Sequence, residues 1–247
     1  MPSFWETLQV NGQEMPTYVS VPSGSGPFPA VVLAQTIRGV NQFIQDQCDK
    51  LAAEGYCAIA PELFHRITDP NLTDPYKRGA TLSDPEVVAD CNATMDFLLG
   101  HSAVDNDHIG IVGFCMGGRV AWLAAATNTN YKATVPYYGG SIMVTRGAGV
   151  QTPLELADNI NCPMLFHFGE IDANPSQDDM AKLDAELTRL GKPHQFFSYP
   201  DADHGFADHT GDRYHRDGAE IAWPRTLQFL AAHLKGCLLY TSDAADE

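Results

Sequence analysis

The sequence predicts an α/β fold in which a mostly parallel sheet is covered by helices on both faces and preceded by an antiparallel hairpin. Three observations predict it. Short, wholly apolar runs such as Ala30-Val-Val-Leu-Ala34 suit strands buried on both faces. Segments with apolar residues at helical spacing alternate with these runs along most of the chain, the pattern of strand–helix–strand units. The start of the chain instead holds two strand-like stretches around Asn11-Gly12, a pair whose tolerance of positive φ favours a tight hairpin turn. The 247 residues show no internal repeat and no shift in composition, so residues 1–236 are read as one domain.

Taken in order, strands are expected at 4–10 and 14–21, followed by the breaker-rich loop Pro22-Ser-Gly-Ser-Gly-Pro27 and a buried strand at 30–34. Phe43/Ile44, Gln47/Cys48 and Leu51/Ala52 give 41–54 a helical stripe that Gly55 stops, and 56–60 is the next buried strand. Residues 61–83 are polar and irregular, longer than an ordinary connection, and are expected to cover or line a site. Asp84-Pro85-Glu86 reads as an N-cap followed by proline at the first helical position, with Val87, Cys91, Met95 and Leu98 continuing the helix. Strands at 108–114, 133–137, 163–168 and 194–199 then alternate with helices at 116–126, 176–190 and 218–234.

Charge and cysteine usage exclude several function classes. The formal charge of −16 repels phosphate backbones, so no nucleic-acid partner is expected. No apolar run approaches a membrane span, and Met1-Pro-Ser-Phe-Trp-Glu6 lacks the basic and apolar regions of a signal peptide. The expected setting is therefore cytoplasmic, without a membrane partner, as a monomer or small homo-oligomer. Cys48, Cys57, Cys91, Cys115, Cys162 and Cys237 contain no CxxC pair, which argues against a zinc ribbon or a disulfide framework. The segment from Cys237 to Glu247 resembles a conceptual translation of a sequencing-library adapter and is set aside as non-native; without its three acidic residues the charge is −13.

The most informative stretch is Gly113-Phe-Cys115-Met-Gly117, where a buried strand meets a helix. This is the Gly-x-nucleophile-x-Gly pattern of a nucleophile elbow with cysteine in the serine position. Side chains at 113 and 117 are expected to collide with neighbouring backbone, the helix N-terminus favours a thiolate, and the Met116 N–H is aimed where an oxyanion forms. Two later strands run into Gly169-Glu-Ile-Asp172 and Asp201-Ala-Asp-His204, placing a titratable residue beyond the C-terminal strand ends where open parallel sheets carry their sites. The order Cys115, Asp172, His204 is that of the α/β-hydrolases. Alone, Cys115 reads as a buried joint residue, Asp172 as a turn former and His204 as a surface histidine. Together, in order and at strand ends, they form a candidate catalytic set.

Gly113-Phe-Cys115-Met-Gly-Gly118, His167-Phe-Gly-x-x-Asp172, Tyr199-Pro-x-Ala-x-His204-Gly-Phe and Ala34-Gln35-x-Ile37-x-Gly39-Val40-Asn41 resemble the dienelactone hydrolase (carboxymethylenebutenolidase) family from about residue 4 to 235. The resemblance implies an α/β-hydrolase fold, no cofactor, and a Cys115/His204/Asp172 triad. It further implies an oxyanion hole from the backbone N–H groups of Ile37 and Met116, and ring-opening of a lactone or enol ester through a thioester. Two positions depart from the family pattern. Thr36 stands where those enzymes carry a glutamate that contacts the thiol, and Asp208 stands where they carry a substrate-gripping arginine. Thr36, Arg38, Arg78 and Asp208 are thus the candidate substrate-binding residues, Arg78 as the counterpart of a second carboxylate-binding arginine. The acidic and histidine-rich stretch 201–215 matches no metal-ligand spacing, so no metal is expected. A broad carboxylesterase acting on neutral esters, and a non-catalytic binding protein on the same fold, are the competing readings.

Overall fold

A computed structural model describes residues 2–236. The chain opens with β1 (Ser3–Val10) and β2 (Gln13–Ser20), paired antiparallel across Asn11 and Gly12, whose φ angles of 51° and 78° supply the tight turn. β3 (Phe28–Ala34), α1 (Gln42–Ala53) and β4 (Cys57–Pro61) follow, then α2 (Pro75–Ala80), α3 (Asp84–Leu99) and β5 (Val104–Phe114). The remainder is α4 (Met116–Thr127), β6 (Tyr131–Tyr137), β7 (Met164–Gly169), α5 (Gln177–Arg189), β8 (His194–Tyr199) and α6 (Arg216–Leu234). One eight-stranded sheet runs in the order β1-β2-β4-β3-β5-β6-β7-β8. From β4 through β8 every neighbouring pair is parallel, and β2 joins β4 antiparallel.

Alternation along the strands explains the two-sided core. In β3, Ala30, Val32 and Ala34 face the layer of α3, α4 and α5, whereas Val31 and Leu33 face α1 and α6. All five are buried, which is why this strand reads as an unbroken apolar run. The parallel sheet thereby aligns the C-terminal ends of β3, β5, β7 and β8 along one edge.

Several boundaries differ from the sequence reading. β5 begins at Val104 rather than 108: Val104 pairs with Phe28 of β3 ahead of a register shift, and the polar Asp105-Asn106-Asp107 that follows lacks the apolar pattern of a buried strand. The segment read as irregular contains α2, opened by Asp74, whose side chain accepts from the Lys77 N–H, and by Pro75 at the first position. Asp84 is not the cap of α3. Ser83 holds that position, and the buried Asp84 carboxylate instead grips Arg119 through contacts of 2.6 and 3.0 Å and accepts from the Arg146 N–H. This pair ties α3 to α4 and to the loop after β6, a demand of tertiary packing that overrides local capping chemistry. The reading of residues 237–247 as a non-native tail lies outside the described residues. Among the described residues no helix is long and apolar enough to cross a membrane.

Candidate active site

β5 delivers Cys115 to the functional edge, and α4 begins at the next residue. Cys115 takes φ 58°, ψ −120°, a positive-φ conformation that an L-residue holds only when its surroundings impose it. The neighbouring glycines show what imposes it. A Cβ at Gly113 would stand 1.9 Å from the Gly117 carbonyl oxygen, and one at Gly117 would stand 2.1 Å from the Ala34 carbonyl oxygen. Only hydrogens fit, so the strand can fold sharply into the helix with the thiol projecting from the turn.

Cys115 Sγ lies 3.0 Å from His204 Nε2, and His204 Nδ1 lies 2.9 Å from Asp172 Oδ2. His204 follows β8 and Asp172 follows β7, so these two come from adjacent strand ends, with Cys115 at the end of β5 across the intervening β6. Asp172 is buried and its other oxygen accepts from the Asn174 N–H. The backbone N–H of His204 donates to Asp203, and the Tyr138 ring meets the imidazole edge-on at 5.2 Å. Those contacts leave the imidazole with one orientation, pointing at sulfur.

The backbone N–H groups of Ile37 and Met116 both donate to the Cys115 sulfur. Burial by itself would push this thiol up. The hydrogen bond and charge of His204, together with the two N–H groups, outweigh that and bring it below its ordinary 9.0. Burial likewise opposes the charged form of His204, but the hydrogen bond to Asp172 and the contact with Cys115 raise it from 6.5 to about 10. Both shifts run in the direction that favours a thiolate–imidazolium pair over the neutral thiol and imidazole. The other described cysteines behave oppositely: burial pushes Cys57 to about 11, Cys91 and Cys162 to about 12, and Cys48 well above the usual thiol.

A cavity of about 640 Å³ opens over the sulfur. Thr36, Arg38 and Asp208 line it, but Thr36 is buried and its hydroxyl accepts from the Arg38 N–H, which turns it into a brace for the loop. Asp208 accepts from the Thr210 backbone and hydroxyl. Arg78 is placed elsewhere, with its guanidinium stacked 4.4 Å over the Phe64 ring and outside the cavity lining. The acidic and histidine-rich stretch disperses its members: His209 pairs with Asp46, and His215 caps α6. Tyr76, from the 61–83 segment expected to cover or line a site, is in the lining, and so are Tyr138, Ile171 and Arg213, which were not singled out. Tyr138 directly follows β6, so the strand-end rule that located Cys115 would have found it. Asp74-Pro75 was the signal for the helix that carries Tyr76. Nothing in the sequence marks Arg213, which reaches the rim through an ion pair with Asp203 at 3.6 Å.

The model of the dienelactone hydrolase family matches residues 15–234. The chain belongs to the dienelactone hydrolase family. Relatives include an Escherichia coli (strain K12) protein named "Putative carboxymethylenebutenolidase", 35% identical over 90% of this chain and 84% of its own. A Bradyrhizobium protein named "Probable 2-oxo-3-(5-oxofuran-2-ylidene)propanoate lactonase" is 31% identical over 94% of this chain and 95% of its own. The crystal structure titled as a putative dienelactone hydrolase from Klebsiella pneumoniae subsp. pneumoniae superposes with a TM-score of 0.85 at 33% identity, covering 93% of this chain and 98% of that one. Family membership makes the chain an α/β-hydrolase-fold enzyme that cleaves lactone or ester bonds.

The thiol ordering has a direct consequence for labelling. Iodoacetamide near neutral pH is expected to modify Cys115 ahead of every other described cysteine. Its rate should climb as the thiol ionises, with a midpoint below 9.0. Peptide mapping that finds Cys48 or Cys162 labelled first, with Cys115 inert, contradicts this.

Proposed function

We propose that this enzyme hydrolyses small neutral esters and lactones with Cys115 as nucleophile, His204 as proton carrier and Asp172 as the carboxylate that orients it. The reading is carried by the 3.0 Å approach of Cys115 Sγ to His204 Nε2 at the point where the Ile37 and Met116 N–H groups converge. The thiolate attacks the acyl carbon, and the carbonyl electrons move to an oxygen held by those two donors. Collapse breaks the acyl–oxygen bond; His204 gives its proton to the departing alkoxide or enolate, leaving a thioester on Cys115. Water then loses a proton to His204, attacks the thioester, and releases the carboxylic acid and the thiolate. For a lactone the leaving oxygen stays attached and the product is the ring-opened acid.

The neutral substrate class is supported by charge around the cavity. The Bradyrhizobium relative is named for a lactone that carries a carboxylate. Here Asp203, Asp208 and Asp212 line the cavity, Arg213 is paired with Asp203, and Arg78 is stacked on Phe64. An anion therefore meets carboxylates and a net charge of −16 on approach, with Arg38 as its available cation at the mouth.

Two measurements test the reading. Cys115→Ala should lower kcat by roughly 10⁴-fold or more while circular dichroism and melting stay near wild type; near-normal turnover would remove Cys115 from the mechanism. The kcat/KM for a neutral lactone should exceed that for dienelactone by roughly one to two decades, the scale of a missing charge-assisted contact of ~1.5–3 kcal/mol. Salt should narrow the gap. A preference for the anion that disappears in Arg38→Ala would overturn the neutral substrate class and leave the nucleophile assignment standing.

A further inference from the structure

The Ile37 N–H is one of two donors at the sulfur, and it sits in the turn after β3 rather than in the elbow that holds Met116. The backbone donors of Arg38, Gly39 and Val40 hold that turn. The Arg38 N–H goes to Thr36 Oγ1 at 3.1 Å and the Gly39 N–H to the Thr36 carbonyl at 3.0 Å. The Val40 N–H goes to Glu62 Oε2 at 3.0 Å, and the other oxygen of Glu62 accepts from the Phe64 N–H at 3.2 Å. Every N–H after Ile37 in the turn thus has a partner that fixes its direction, and Ile37 is left aimed at Cys115.

Glu62 is the member of this set that comes from outside the turn. It follows β4, and its own N–H is anchored to the Pro16 carbonyl of β2 at 2.9 Å. The carboxylate has no ion-pair partner among the described residues; both its oxygens are given to backbone N–H groups. Contact with the turn is close. Gly39, at φ +84°, would place a Cβ 2.9 Å from Glu62 Oε2, so the carboxylate occupies the room that a side chain would take. A reciprocal bond completes the stitch, from the Leu63 N–H to Oε1 of the fully buried Gln35, 2.9 Å away. Two loops that leave adjacent parallel strands are thus sewn together by side chain-to-backbone bonds running in both directions.

The geometry points to Glu62 as a positioning residue that sets the Ile37 N–H for the developing oxyanion and the resting thiolate. This inference rests on the reading of Cys115 as nucleophile. Holding a donor in place matters because a displacement of about 1 Å at a reacting centre costs on the order of 10²-fold in rate. A carboxylate suits the task, since charged acceptors make the shorter and stronger bonds to backbone N–H.

The test compares Glu62→Ala and Glu62→Gln with wild type on one neutral ester, reading kcat, KM and the pH profile of Cys115 alkylation. Glu62→Ala should lower kcat roughly 10- to 100-fold with KM little changed. The alkylation midpoint should move to higher pH, because the Ile37 donor no longer steadies the thiolate. Glu62→Gln should lie between, since an amide oxygen accepts from one N–H where the carboxylate accepts from two; if the alanine variant fails to fold, the glutamine variant decides. A role confined to stability would lower the melting temperature and leave the alkylation midpoint and kcat in place, and that result overturns the inference. Wild-type turnover that survives complete alkylation of Cys115 would instead overturn the underlying nucleophile reading, and the role of Glu62 with it.

Discussion

The close passage of three backbone segments at Gly113, Gly117 and Ala34 is the constraint from which the site is built. Hydrogen in place of Cβ at 113 and 117 lets β5 turn into α4 over the end of β3, and that turn forces Cys115 to positive φ. The strained residue is the one whose side chain then stands free of both strand and helix. The same fold-back brings the first N–H of α4 and the loop after β3 to the sulfur, so one steric condition places the thiol and both of its backbone donors. Conformational strain of order 1–3 kcal/mol at such a residue has to be offset by surrounding structure.

That surrounding structure is identifiable. On one face the buried Arg119, one turn into α4, binds Asp84 and the carbonyls of Ser141 and Val144, joining the elbow helix to α3 and to the loop beyond β6. On the other face the fully buried His167 bonds Tyr199 and Thr226, and Thr226 bonds Tyr137, so β6, β7, β8 and α6 share one polar chain. Burial holds His167 far toward the neutral form, at about 3, so this histidine bonds its neighbours as a neutral ring across the range in which His204 is charged. Two histidines a few residues from neighbouring strand ends thus take opposite protonation states. Desolvation prevails at His167, whereas at His204 the hydrogen bonds and charges of Asp172 and Cys115 together outweigh it.

Legibility in the sequence followed the range of the interactions. The elbow, the strand ends and the order of Cys115, Asp172 and His204 were visible because each is written in a few consecutive residues and a strand-to-loop switch. The two-sided burial of the sheet was visible for the same reason, in runs such as residues 30–34. Glu62 was not, because its partner Val40 lies 22 residues earlier and meets it only once β3 and β4 are side by side. Asp84 misled, since a sequence rich in local capping chemistry does not reveal that Arg119, 35 residues on, takes the carboxylate. Thr36 was read as the replacement for a glutamate that contacts the thiol, and its hydroxyl braces its own loop. Arg78 was placed by likeness to a family position, but the face of Phe64 gives its guanidinium another partner.

The claim on which the rest depends is that the sulfur of Cys115 carries the acyl group between the two chemical steps. The direct measurement is mass spectrometry of enzyme quenched in acid during turnover of an activated aryl ester whose acyl group hydrolyses slowly. The account predicts an increase equal to the acyl mass, located on the peptide holding Cys115 and released by neutral hydroxylamine as thioesters are. Acyl mass on a different residue during continuing turnover, with the Cys115 peptide unmodified, would contradict it.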